Sequence, residues 1–238
     1  MTTIIAPRPS FKPRAASPSV GLRSLAGRNL SFDLVQEQSA GRGQLETSIT
    51  QKFERVYGAN LSHFLPELLR LGVSQELGAV VGIRKAGSNA LFLEQYLDKP
   101  IEQAIARAFQ TPVDRPQVIE IGNLAAEVPG MAYALFAVLA TVLNRAGYRW
   151  VACTATPQVE SMLSKMRFSS RTLCSADPAR LQEGSADWGD YYASKPRVIV
   201  GDVRRAAAQV GKNREMRALV RHFEPQIARM ATSLRKAS

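Results

Sequence analysis

The chain has 238 residues, 45% of them hydrophobic, enough apolar material for one large domain with a full core. Its net charge of +11 predicts attraction to acidic partners: nucleic acid, membrane headgroups, coenzyme phosphates or an acidic carrier protein. Two cysteines, Cys153 and Cys174, exclude a disulfide framework and fit a reducing cytosol, and two histidines without ligands at metal spacing, His63 and His222, argue against a metal site.

Residues 1–43 are rich in Pro, Ser, Gly and Arg and predict a flexible basic arm, with Leu30–Val35 apolar enough to add an edge strand. Gln44 to Tyr57 is helical in pattern, and His63-Phe-Leu-Pro-Glu-Leu-Leu reads as a loop or short turn. Leu77–Arg84 and Leu91–Leu97 read as strands, joined by Lys85-Ala-Gly-Ser-Asn-Ala as a hairpin connection. Pro100 suits the first turn of a helix running to Phe109, because its missing N–H costs nothing there.

The strand Gln117–Leu124 follows, then a helix from Gly130 to Arg145 closed by Gly147. The apolar run Met131–Leu143 is shorter than the roughly 18 residues a membrane span needs, so it is a core helix. Next come the strand Arg149–Thr156, a helix opened by Pro157 and reaching Met166, a turn-rich stretch from Asp177 to Lys195 and a last strand, Arg197–Val203. Strand, helix, strand in that order implies a right-handed parallel crossover. The expected fold is α/β, a mixed and mostly antiparallel sheet with one parallel βαβ unit and helices on both faces.

From 204 to 238 the composition changes. Met216, Leu219, Val220, Phe223, Ile227, Met230 and Leu234 recur at three- and four-residue steps, with Arg214, Arg217, Arg221, Arg229 and Arg235 between them. This predicts a basic amphipathic helix interrupted at Pro225. Such a helix packs on the domain with a solvated Arg face, or docks on an anionic membrane surface or acidic partner. In the docking case, truncation after Val203 leaves a folded core.

The stretch Gln117 to Ala132 is the most informative. A strand carrying Glu120 breaks at Pro129-Gly130 into an apolar helix, and a helix N-terminus offers backbone N–H groups to an anionic ligand. There is no Gly-x-Ser-x-Gly elbow, P-loop or Rossmann fingerprint, which removes most of the support for hydrolase, NTPase and dinucleotide readings.

Four ordered blocks, Leu91-Phe-Leu-Glu-Gln-Tyr-Leu-Asp, Ile119-Glu-Ile-Gly-Asn-Leu-Ala, Gly147-Tyr-Arg-Trp-Val-Ala-Cys-Thr-Ala-Thr and Trp188-Gly-Asp-Tyr-Tyr, resemble the thermostable hemolysin family, bacterial proteins related to GNAT-type N-acyltransferases. The likeness runs from about Tyr57 to Val203 and implies a fold close to acyltransferases, including acyl-homoserine-lactone synthases. It implies that the strand ending in Asn123-Leu124-Ala125 is the one whose splayed bulge pairs with a pantetheine arm, with Gly122 as bulge residue. Glu127-Val128-Pro129-Gly130-Met131-Ala132 takes the place of the pyrophosphate loop, yet has a single Gly and no Arg where the usual pattern is Gln/Arg-x-x-Gly-x-Gly/Ala. Either the donor pyrophosphate is held less fully, or the donor is an acyl carrier protein whose phosphopantetheine has one phosphate. Thr156 opens the helix that ends in Gly-Phe in many such enzymes, and here Arg167 replaces the Gly.

Amine acyl transfer needs a base for the ammonium nucleophile, donors for the oxyanion and an acid for the thiolate. Glu120, in an apolar strand that should raise its pKa, is the first candidate base; its structural alternative is a partner for a buried arginine. Glu94 is the second, on a strand face shared with Phe92 and Tyr96. Asn123 is an amide donor or a strand-end cap, Tyr191 and Tyr192 are candidate acids, and Trp188 and Cys153 are packing residues. The implied activity moves a fatty acyl group from acyl-CoA or acyl carrier protein, a co-substrate rather than a resident cofactor, to a small amine acceptor. The expected location is cytoplasmic, with peripheral membrane association through the tail and homodimerisation left open. The alternative is a hemolysin-like protein that acts on membranes directly, binding anionic lipid through its Arg-rich C-terminal helix. Nucleic-acid binding is weaker, since aromatic residues among the Lys and Arg of the arm and tail are scarce.

Overall fold

The computed structural model describes residues 29–236 apart from 75, 88–89 and 182–184. The basic arm up to residue 28, and the Ser-Asn of the expected hairpin connection, lie outside the described residues. Seven strands form one sheet in the order β1-β2-β3-β4-β5-β7-β6. They are β1 Leu30–Val35, β2 Glu67–Val73, β3 Glu76–Lys85, β4 Val118–Ala126, β5 Trp150–Ala155, β6 Ser170–Ser175 and β7 Arg197–Asp202. Every neighbouring pair is antiparallel except β4 and β5, which run parallel on either side of a crossover helix, as the strand–helix–strand order implies.

The helices are α1 Arg42–Tyr57, α2 Ile101–Phe109, α3 Met131–Ala146, α4 Pro157–Lys165, α5 Val203–Lys212, α6 Arg214–His222 and α7 Glu224–Lys236. Twelve of the sixteen residues of α3 are buried, so the helix is apolar nearly all round and lies sandwiched between the sheet and the C-terminal helices. It stops at Gly147, whose φ of 95° suits glycine, and the Tyr148 N–H reaches back to the Leu143 carbonyl at 3.0 Å.

The two sheet faces bury different sets. Alternation sends Ile119 and Ile121 of β4 and Val151, Cys153 and Ala155 of β5 towards α3. Val118 of β4, with Trp150 and Ala152 of β5, faces the other way against Ile101 and Ile105 of α2. Beside that second cluster, Leu45, Ile49 and Phe53 of α1 cover Leu68, Val80 and Ala125.

Three expectations are corrected. The strand at Leu91–Leu97 is a 3₁₀ segment, Phe92–Tyr96, so no hairpin joins it to β3. The edges of β3 are taken by β2 and β4, the first of which starts inside the stretch expected to be a loop and runs on through residues given no element. Glu67 and Arg70 mask β2 in the sequence, although five of its seven residues are apolar or Gly and nearly all are buried. β6 escapes the sequence pattern because it is an edge strand with Ser170, Arg171 and Thr172 in solvent.

The tail is not one kinked helix but three. Asn213 caps α6 by accepting from the Met216 N–H at 3.0 Å, and Pro225 sits in the first turn of α7, where proline is tolerated. Met216, Val220, Phe223, Ile227, Met230 and Leu234 are all buried in the same core as α3. Phe223 meets Phe32 of β1 edge-on at 4.6 Å. The apolar stripe that would enter a membrane is therefore part of the domain's interior.

Candidate active site

β4 and β5 pair through Val118/Trp150, Ile119/Val151 and Glu120/Ala152, and then part. β4 continues to Ala126 against β3 while β5 continues to Ala155 against β7, which opens a wedge three residues earlier than Asn123, where the sequence placed it. Beyond the pairing, the β4 backbone on that side has no strand across from it.

The bulge lies next to this wedge. Gly82 pairs with Gly122 and Val80 with Ala125, so Val81 faces both Asn123 and Leu124. The residue that bends is Asn123, with φ 49°, rather than Gly122. Asparagine tolerates this left-handed conformation better than most side chains. Its amide is also spent on the fold: Oδ1 accepts from the Leu65 N–H at 2.9 Å and Nδ2 donates to the His63 carbonyl at 3.3 Å. Asn123 thus anchors the segment entering β2. Asn123→Ala is expected to lose both the hydrogen bonds and the conformational tolerance, lowering stability by about 1–3 kcal/mol, and Asn123→Gly somewhat less. Urea denaturation of the two variants checks the order.

Glu120 is 4% exposed on the α2 side of the sheet. Its two carboxylate oxygens accept the N–H groups of Phe92 and Leu93, each at 2.9 Å. Burial pushes the carboxyl up to about 7, against the opposing pull of these two N–H groups and of Arg84, its register partner on β3. Its partner is therefore backbone, where the sequence suggested a buried arginine.

Glu94 is not on a strand face with Phe92 and Tyr96. It accepts from Leu91 N–H and Ile101 N–H at 2.8 Å each and from both terminal nitrogens of Arg115 at 2.7 and 2.8 Å. Burial pushes its carboxyl up, but Arg115 and these N–H groups together hold it below the usual range. With that bidentate pair in place, Glu94 is a fully engaged structural anion. Three consecutive N–H groups, from Leu91 to Leu93, are thus held by two carboxylates, which is why this segment turns instead of pairing in the sheet.

Tyr191 and Tyr192 come to the same side. The Tyr191 hydroxyl donates to the Thr154 carbonyl at 3.2 Å, in the wedge, and burial raises its pKa. The Tyr192 hydroxyl lies 2.5 Å from that of Tyr96, whose ring packs edge-on against Phe92, next to the Glu120 anchor. Tyr96, named in the sequence only as a face neighbour of Glu94, thereby links Tyr192 to the Glu120 region. Trp188 packs on Phe53, Phe92, Tyr191 and Tyr192, as a packing residue should. Thr156 is buried at the outlet of β5, and Tyr57 of α1 meets Tyr191 edge-on at 5.2 Å. No local pattern marks the part that Tyr57, Phe53 or Arg115 takes here, because Tyr191, Trp188 and Glu94, which they meet at the site, lie far off in sequence.

The residues expected to hold the donor phosphates surround the start of α3. The Glu127 and Val128 N–H groups donate to the Gly78 carbonyl and the Met131 N–H to that of Val128. Among the described residues, the N–H groups of Gly130 and Ala132 have no such acceptor. Met131 and Ala125 are core side chains, and Leu124 is partly buried against α3. Glu127 is met by Arg55 at 3.2 Å and Lys52 at 3.9 Å, so cations that this loop lacks arrive from α1.

Behind the point where the strands part, on the α3 face, lies an apolar cavity of about 50 Å³. Ile121 and Cys153, the first residues past the last pair, line it with Phe136, Leu139, Leu163 and Phe168.

The architecture is shared with solved structures. An N-acyl amino acid synthase from uncultured soil microbes, FeeM, superposes with a TM-score of 0.53 at 12% identity, covering 77% of this chain and 95% of that one. The acyl-homoserine-lactone synthase LasI gives 0.53 at 10%, covering 74% and 91%. At these identities the likeness is one of fold, a GNAT-like mixed sheet. No curated protein matches this chain. A family model does, over residues 35–207, across the wedge, the bulge and both carboxylates: the chain belongs to the thermostable hemolysin family.

Proposed function

We propose that this protein is an N-acyltransferase that moves a fatty acyl group from acyl-CoA or acyl carrier protein to an amine acceptor. The observation that carries the reading is the parting of β4 and β5 directly after Glu120. It leaves strand backbone unpaired along a wedge, where an extended amide-containing arm can add hydrogen bonds as a strand would. An apolar cavity sits behind the vertex for the first methylenes of an acyl chain, and Phe136, Leu139 and Phe168 would have to rotate for a longer one. A carboxyl with a pKa near 7 stands at the same vertex and matches a base for an ammonium nucleophile. Gly130 and Ala132 N–H groups and the α1 cations Lys52 and Arg55 would meet the donor's phosphate end. The Tyr192 hydroxyl, paired with that of Tyr96, would serve as the proton source for the departing thiolate.

The test is incubation of the purified protein with acyl-CoAs and acyl carrier protein of several chain lengths and a pool of amines and amino acids, with release of thiol and acylated products read by mass spectrometry. Amine-dependent thiol release with an N-acyl product supports the reading. Absence of any such product from either donor class, with a folded protein, sinks it.

A further inference from the structure

The C-terminal helices present a face that the acyl-transfer reading does not use. Nine Lys and Arg against two Glu occur between 203 and 236, so most of the chain's net charge is concentrated in α5–α7. Because the apolar stripe of these helices is buried, their cations point outward: Arg204, Arg205, Lys212, Arg214, Arg217, Arg221, Arg229 and Arg235 are all exposed. Of the two acids, Glu224 is already paired with Arg145. Arg205 lies 3.7 Å from Asp202, and Arg217 and Arg235 donate to backbone carbonyls. For Arg204, Lys212, Arg214, Arg221 and Arg229 no carboxylate partner occurs among the described residues.

We propose that this face docks the protein, by charge alone and without insertion, on a bilayer surface carrying anionic phospholipid headgroups. Three features select this partner. First, the only exposed large apolar side chain among the described residues is Val56, on α1, so the face lacks the buried apolar centre on which specific protein interfaces depend. Second, an acyl carrier protein bound here would be at the wrong end. Glu224 at the start of α7 and Arg235 near its end both reach Arg145, in the last turn of α3. The start of α3, beside the wedge mouth, is about 24 Å away along a sixteen-residue helix. Third, single-stranded nucleic acid needs aromatic platforms, and Phe223, the one aromatic ring of Phe, Tyr or Trp type in α5–α7 and their joints, is buried. An extended array of cations without aromatic or apolar anchors suits a planar, mobile array of phosphates.

The experiment is sedimentation of the full chain with phosphatidylcholine vesicles, with and without 30% phosphatidylglycerol, at low and high salt. The comparison is a variant with Arg204→Gln, Arg214→Gln, Arg221→Gln and Arg229→Gln. The wild type should pellet only with anionic vesicles and be released by salt. The variant should bind about 10²- to 10³-fold more weakly, with unchanged circular dichroism. Because binding needs no turnover, the result is independent of the acyltransfer assay. The proposal is overturned if the wild type ignores anionic vesicles, if it binds neutral vesicles equally, or if the folded variant binds as the wild type does. It is also overturned if a double-stranded oligonucleotide or an acidic carrier protein competes it off the vesicles at concentrations far below the lipid phosphate. Should the fourfold variant misfold, the pair Arg214→Gln and Arg221→Gln on α6 alone is expected to lose about tenfold.

Discussion

A chain truncated after Val203 is expected not to fold. The deletion removes Val210, Met216, Val220, Phe223, Ile227, Met230 and Leu234 from the main core, each worth about 1.5–3 kcal/mol of burial. Together they match or exceed the net stability of about 5–15 kcal/mol typical of a domain. The cut also bares the outer side of α3 and the ring of Phe32 on β1. Circular dichroism and size-exclusion chromatography check it: a truncated protein that is monomeric and melts cooperatively would contradict the packing described for α5–α7.

Replacing Glu120 with Gln is expected to cut turnover by about 10²- to 10⁴-fold. In the wild type the rate should rise with an inflection at about pH 7, where the carboxyl ionises; the variant should lose that inflection and follow only the free-amine fraction of the acceptor. Stability carries an independent signature. The folded pKa lies above the ordinary value of 4.5, so the stability linked to this group is fully present below pH 4.5 and is lost as pH rises through about 7. The loss amounts to about 3 kcal/mol at most. Glu120→Gln should abolish that decline, at the expense of about 1–3 kcal/mol because its NH₂ cannot accept from the Phe92 or Leu93 N–H. A variant with normal turnover and only a lower melting temperature would make Glu120 an anchor for the 91–96 segment and nothing more.

Much of the scaffold was legible in the sequence for a local reason. β4, α3 and β5 show their own periodicities, and Pro100, Gly147 and Pro157 punctuate helices through backbone chemistry that needs no distant partner. The site was less legible because its geometry is set at long range. Leu91–Leu97 alternates like a strand, and the Glu120 carboxylate, 27 and 28 residues on from its two donors, turns it into a 3₁₀ segment together with Glu94, which Arg115 holds from 21 residues away. Asn123 bends because its amide meets Leu65, 58 residues away. In the tail the apolar stripe was plain, but a stripe does not say what it faces. That information resides in the outer surface of α3, which is as apolar as the surface towards the sheet.

The parting of the two central strands has one more consequence. Cys153 stands at the first position of β5 past its pairing with β4, facing the cavity, buried and with its thiol pushed up to about 12 by burial. While the interior is shut, an alkylating reagent finds almost no thiolate there. Each excursion that admits solvent to the vertex makes the thiol briefly reactive, so its modification rate is a clock for how often the interior breathes. The half-buried Cys174, on the outer edge strand, supplies the reference rate in the same molecule. A chain that fills the cavity would stop one clock and leave the other running.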